Sequence, residues 1–202
     1  MVGVRGQGRK FDTQDALRQA MNVFWRNGYE GASIADLTAA MGITSSSLYA
    51  AFQGKKHLFD KVVEYYLAHQ GRFVGVAFDE ESNTLPLVRR LLFEAAEVYS
   101  DQGGPGGCLI VSAATCVTDA NRDVEKKLES HRRANIERLE SVIHADIQRG
   151  AVSPDVDATS LAEFVGAVLQ GMALRGKDGA SAHSLRATAE MAYSQVEKVV
   201  SP

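Results

Sequence analysis

Apolar side chains recur along almost the whole chain every three or four residues, the repeat of a helix with one buried stripe. Nowhere do they alternate as in a half-buried strand. Leu17, Ala20, Met21, Phe24 and Trp25 mark a first helix over 11–27, stopped by Gly28. Ser33 followed by Asp36 has the form of a capping box, and Ile34, Leu37 and Met41 carry the stripe of a second helix. Gly42 stands where a helix-ending glycine is expected, with Ile43 as the buried turn residue. Thr44 then caps a short third helix reaching Phe52, and Gln53–Gly54 end it. Lys55 opens a longer helix running past Tyr66 toward Arg72.

The remainder reads the same way. Helices are expected over 85–100, with Pro86 in the first turn where proline is tolerated, over 108–117, and over 121–149. Two more are expected over 159–174 and 185–200. The glycine-rich run 101–107 is the clearest loop, and Gly150 followed by Ser153–Pro154–Asp155 separates two of the helices. The pattern predicts an all-α protein of about nine helices, with no repeat and no low-complexity tract.

Composition changes this picture little. Of 202 residues, 45% are apolar and 23% charged, which is ordinary for a packed globular chain. No apolar run approaches the ~18 residues of a membrane span. Residues 1–10 are basic and glycine-rich without an apolar stretch, so no signal peptide is expected and the expected compartment is the cytoplasm. Charge is more informative by its distribution than by its sum. The net value is −3, but residues 1–60 carry 7 Lys/Arg against 5 acids, leaving a mildly basic head on an acidic body.

The segment 33–52 holds the chemistry. Two short helices joined by a glycine turn form a helix-turn-helix, locked by Leu37, Met41, Ile43 and Leu48. The second helix presents Thr44, Ser45, Ser46, Ser47 and Tyr49, short hydroxyl donors and acceptors suited to base edges and phosphates in a major groove. The same residue types also favour helix starts, so capping alone is the competing account.

Residues 9–63 resemble the DNA-binding domain of the TetR family of transcriptional repressors. The match rests on Phe24, Gly28–Tyr29, Ser33–Ile34, Asp36–Leu37, Met41–Gly42–Ile43, Ser47–Leu48–Tyr49, Phe52, Lys55 and Leu58–Phe59. Ala50–Ala51 stand where the family often has histidine or tyrosine before the phenylalanine, which removes contacts there. The resemblance implies a helix-turn-helix domain over 1–54 and an effector-binding and dimerisation domain over 55–202. It implies base-edge contacts from Thr44, Ser45 and Ser46, and phosphate contacts from Ser33, Tyr49 and Lys55. Arg5, Arg9 and Lys10 are either an auxiliary basic arm or a solvated tail.

It further implies a homodimer on a near-palindromic double-stranded operator, released by a small-molecule effector of unknown identity. The interface is expected on the last two helices, through Leu161, Phe164, Val165, Val168, Leu169, Met172, Leu185, Ala189, Ala192, Val196 and Val199, with Gly166, Ala167 and Gly171 permitting close approach. The effector pocket is expected among Tyr65, Tyr66, Phe93, Tyr99, Cys108, Leu109 and Phe164. Two alternatives stand beside this reading: a helical small-molecule-binding protein without DNA activity, and a cysteine-based redox or electrophile sensor. In the latter, Cys108 sits at a helix start that lowers its thiol pKa.

Enzyme chemistry finds no support. The five histidines form no metal-binding pair, no nucleophile-elbow or phosphate-loop motif is present, and neither cofactor nor metal is expected.

Overall fold

The computed structural model describes residues 12–101 and 103–200. The basic arm of Arg5, Arg9 and Lys10 lies outside these residues. The described residues form ten α-helices and one short 3-10 turn, with no strand. The helices are α1 (Thr13–Gly31), α2 (Ile34–Met41), α3 (Ser45–Phe52), α4 (Lys55–Ala68), α5 (Arg72–Glu80) and α6 (Thr84–Tyr99). They continue as α7 (Leu109–Ser112), α8 (Arg122–Gln148), α9 (Ala158–Lys177) and α10 (Ala182–Val200). The 3-10 turn covers Asp119–Asn121.

Local rules set most of these boundaries. Asp12 caps α1, accepting from the Gln14 and Asp15 amides, and Asp157 caps α9 in the same way. The helical run of α1 breaks at Gly28, as expected, leaving Tyr29–Gly31 as a separate turn. Asn83 makes no side-chain cap on α6. Instead the buried carboxylate of Asp146 reaches across from α8 and takes the Thr84 amide at 2.6 Å, while Arg149 closes on its other oxygen. Burial alone would raise the Asp146 pKa, but these donors hold it below the usual aspartate value.

Two elements differ from expectation. The long fourth helix ends at Ala68, and a separate α5 follows Gly71. A Cβ at Gly71 would lie 2.6 Å from the Tyr66 ring, so the chain folds tightly back on α4 at a point where a larger residue has no room. The apolar stretch 108–117 forms only the single turn α7 and then continues as coil. Its apolar character serves burial, since Leu109, Ile110, Ala113 and Ala114 all sit in the core.

The head is built around Phe24, Tyr29 and Phe59, with the Phe24 and Phe59 rings edge-to-face at 4.9 Å and Tyr29 and Phe59 at 5.1 Å. Leu37, Leu48 and Leu58 complete that core at full burial. α4 therefore starts inside the head, while its far end packs Tyr66 against Trp25 at 5.1 Å and meets the body. In the body α10 lies along α6, α9 packs on α6 and α8, and the loop before α7 docks on α9.

Candidate nucleic-acid interface

The helix-turn-helix is held from behind and open in front. Ser33 and Asp36 complete the capping box, with the Asp36 amide donating to Ser33 Oγ at 3.0 Å and the Ser33 amide to Asp36 Oδ2 at 3.1 Å. Gly42 takes the left-handed conformation (φ 66°, ψ 33°) that turns the chain out of α2, a conformation glycine adopts without cost. Thr38 Oγ1 bonds back to the Ile34 carbonyl at 2.8 Å, so its hydroxyl is occupied within α2. Leu48 and Phe52 fix α3 to the core, which leaves Ser45, Ser46, Ser47 and Tyr49 on the exposed side.

The hydroxyls on that side already form a network. Thr44 Oγ1 accepts from the Ser47 amide at 3.2 Å and lies 2.9 Å from both Ser46 Oγ and Ser47 Oγ. Capping does not use up the exposed hydroxyls. One hydroxyl serves as the cap, and the serines linked to it remain exposed and oriented. Tyr49 is 54% exposed, the one large apolar group of the head that is open among the described residues, and its ring lies alongside Gly54, at the start of α4. That start carries no side-chain cap, which leaves the first amides of α4 without a side-chain acceptor among the described residues.

The Lys55 side chain has partners within the head. Its ammonium lies 4.5 Å from the centre of the Tyr29 ring and 3.4 Å from the Glu30 carbonyl. Burial there lowers its pKa, against the opposing pull of Glu30. The side chain packs against the Tyr29 ring at the start of α4.

The head is joined to the body by a compact polar joint that the sequence pattern did not reveal. Glu30 Oε1 accepts from the Thr118 amide at 2.7 Å, from Thr118 Oγ1 at 2.8 Å and from Asn121 Nδ2 at 2.9 Å. Beside it the Tyr29 amide donates to the Ala113 carbonyl at 2.6 Å, Lys56 pairs with Asp123, and Lys127 pairs with Asp60 at 2.7 Å. The bonds from Thr118, with Asn121 next, bring the Glu30 pKa down to about 2.

A carboxylate whose folded pKa is depressed contributes fully above its ordinary value near 4.5 and loses that contribution as pH falls toward about 2. The advantage of the native protein over a Glu30→Gln variant in urea melts should therefore shrink between pH 5 and pH 2. A difference that stays constant across that range would remove Glu30 from the acid-sensitive joint.

Behind the joint lies a cavity of about 330 Å³, walled by α4, α5, α6, α7, α8 and α9. Of the seven residues expected to line it, Tyr66, Tyr99 and Cys108 do so. Tyr65 instead stacks on His69 at 4.0 Å, Phe93 packs edge-on to Tyr193, Leu109 is core, and Phe164 faces out at 39% exposure. The missed wall comes from α5, through Phe73, Val74 and Phe78, and from the polar residues His131, Arg132, Asn135 and Gln170.

Cys108 is the N-cap residue of α7, and the lowered thiol pKa that the redox-sensor alternative calls for is not found there. Burial pushes the thiol up, and the hydroxyl of Tyr66 donates to its sulfur at 3.3 Å, opposing that rise without reversing it. Cys116 is exposed, and neither cysteine is in a disulfide.

The expected interface residues divide sharply. Val165, Met172, Leu185, Ala189, Ala192 and Val196 are buried within the single chain, because α10 packs its stripe on α6 and α9 packs its stripe on α6 and α8. These residues, with Leu161, belong to the core of the single chain. Gly166 likewise faces Ile136 of α8, where a Cβ would stand 2.9 Å from its side chain. Phe164 stays exposed, while Val168 and Leu169 are half-buried. Val199 (42% exposed), one of the expected positions, is open on α10, and Leu174 (55%) and Met191 (77%), absent from the expected set, are the other large apolar groups open on α9 and α10 among the described residues.

Comparison with known proteins agrees with this architecture. The family described as "Bacterial regulatory proteins, tetR family" matches residues 16–62, and "Tetracyclin repressor-like, C-terminal domain" matches residues 85–192. The chain is 31% identical over 182 residues to the HTH-type transcriptional repressor ComR of Escherichia coli (strain K12), covering 90% of this chain and 87% of that protein. It is 26% identical to the repressor BdcR of the same organism, covering 98% and 95% respectively. Among solved structures, a cysteine mutant of the TetR family regulator CifR, complexed with 26-base-pair double-stranded operator DNA, superposes with a TM-score of 0.86 at 36% identity. That match covers 93% of this chain and 98% of that one.

Proposed function

The chain belongs to the TetR family of bacterial transcriptional regulators, and from that premise we propose that it is a homodimeric repressor released from operator DNA by a small-molecule effector. The observation that carries this reading is the exposed face of α3. A hydroxyl network fixed by the Thr44 cap stands next to Tyr49 and the uncapped start of α4, on a helix whose other face is locked into the core. Such a face combines base-edge donors with phosphate ligands at one surface.

In this reading Thr44, Ser45, Ser46 and Ser47 meet base edges. Ser33, the Tyr49 hydroxyl and the Lys55 backbone amide meet phosphates. The reading head is 1–54 and the body 55–202, with α4 shared between their cores. Because one short helix reads only a few base pairs, two copies bind together. The contact surface proposed for them is the outer stripe of α9 (Phe164, Ala167, Val168, Gly171, Leu174) with Met191 and Val199 of α10. The fold of a single chain leaves these apolar positions exposed, or half-buried in the case of Val168.

The cavity behind the joint is the proposed effector site. Its wall and the joint share one short segment: Ile110 and Val111 line the cavity, and Ala113 holds the Tyr29 amide of the head. An effector acts by preferring one position of this segment over the other, and only that difference in affinity moves the heads.

Tyr49→Phe removes the hydroxyl and leaves the ring. Operator affinity should weaken by about 1 kcal/mol, roughly fivefold, on specific and scrambled DNA alike, without loss of the folded dimer. Fluorescence anisotropy on the intergenic DNA flanking its own gene reads this directly. Unchanged affinity would take Tyr49 off the contact surface.

A further inference from the structure

The effector cavity is mostly apolar, with Phe73, Val74, Phe78 and Leu139 among its walls, yet its charge is one-sided. No Asp or Glu is found among the described residues lining it, while Arg132, Arg138 and His131 are. Arg138 is accounted for: its guanidinium lies 4.4 Å from the centre of the Phe78 ring and 3.3 Å from Asp79 Oδ1. Burial lowers the His131 pKa, with Lys127 adding to the effect, which favours the neutral imidazole. Arg132 is left. It is half-buried and donates from Nη1 to the Ile110 carbonyl at 2.7 Å, and it forms no ion pair among the described residues.

A guanidinium held at an apolar wall by one neutral carbonyl keeps most of its five donors unused and its charge unbalanced. Its fork geometry fits a carboxylate or sulfonate, and the neutral groups near it, Asn135 and Gln170, add hydrogen bonds without adding charge.

Resting on the effector reading above, we propose that the cavity takes a small apolar organic monoanion, with its ring or chain against α5 and α8 and its acid group on Arg132. The matched dyes 1-anilinonaphthalene-8-sulfonate and N-phenyl-1-naphthylamine test this, because they share one aromatic body and differ by the sulfonate. Fluorescence titration of the full chain is expected to give at least about tenfold tighter binding of the sulfonate. Arg132→Gln should remove that advantage while leaving the neutral dye within about twofold, so the neutral dye also reports that the cavity is intact. Arg133→Gln, on the same helix but outside the cavity, should change neither.

Equal binding of the two dyes, or sulfonate binding indifferent to Arg132→Gln, overturns the proposed anion and leaves the cavity reading standing. Binding of neither dye overturns the cavity reading as well.

Discussion

A chain carrying both Leu174→Glu and Met191→Glu is expected to sediment as a folded monomer and to lose operator affinity by about 10²-fold or more. Both positions are more than half exposed in the single chain, so charge there disturbs no internal packing. Between two copies, the same substitutions bring like carboxylates onto an apolar contact and cost desolvation on both sides. Two heads joined through one interface make the second half-site contact intramolecular, and separating them forfeits that effective concentration. Unaltered circular dichroism together with monomeric sedimentation would isolate the effect to assembly. A variant that stays dimeric would place the subunit contact elsewhere.

Gly107→Val is expected to damage the fold itself. Gly107 has φ 69°, in the left-handed region, and its amide donates to the Tyr99 carbonyl at 2.8 Å. A Cβ there would stand 2.2 Å from the Ala173 carbonyl of α9, backbone against backbone, with no flexible side chain able to yield. A β-branched residue adds conformational strain to that collision, so a cost of roughly 3–5 kcal/mol is expected. For a chain of this size the loss corresponds to a fall in Tm of about 6–20 °C. Cys108 follows directly, so the loop's seat on α9 also sets the cavity wall. A Tm within about 2 °C of the native value would show that the loop can dock without this close approach.

What could be read from the sequence was local. The capping box of Ser33 and Asp36, the Thr44 cap and the turn at Gly42 each depend on residues within a few positions, and all three are present. The break after Ala68 was not legible, because it depends on Gly71 meeting Tyr66 and not on a proline or a glycine pair. The run 108–117 is apolar for burial, and periodicity cannot separate a buried coil from a buried helix.

The same limit explains the interface residues. α9 and α10 are apolar on more than one side, and composition does not say which side meets α6 and which meets solvent. Leu185 and Val196 fell on the inner side, and Leu174 and Met191 on the outer. Glu30 gave no signal at all, since Thr118 and Asn121 are remote in sequence and adjacent only after folding. Arg132 likewise reads as one charge among many on a long polar helix until the cavity shows what it lacks.

The central claim is that two copies read DNA together through α3. Selection of binding sites from a random double-stranded library, followed by titration of a selected site at two salt concentrations, tests it without knowing the natural operator. Two inverted half-sites should be enriched, with saturation at two chains per site or a multiple of two and affinity that falls as salt rises. Enrichment of a single unpaired site bound by one chain, or no enrichment over the starting library, would contradict it.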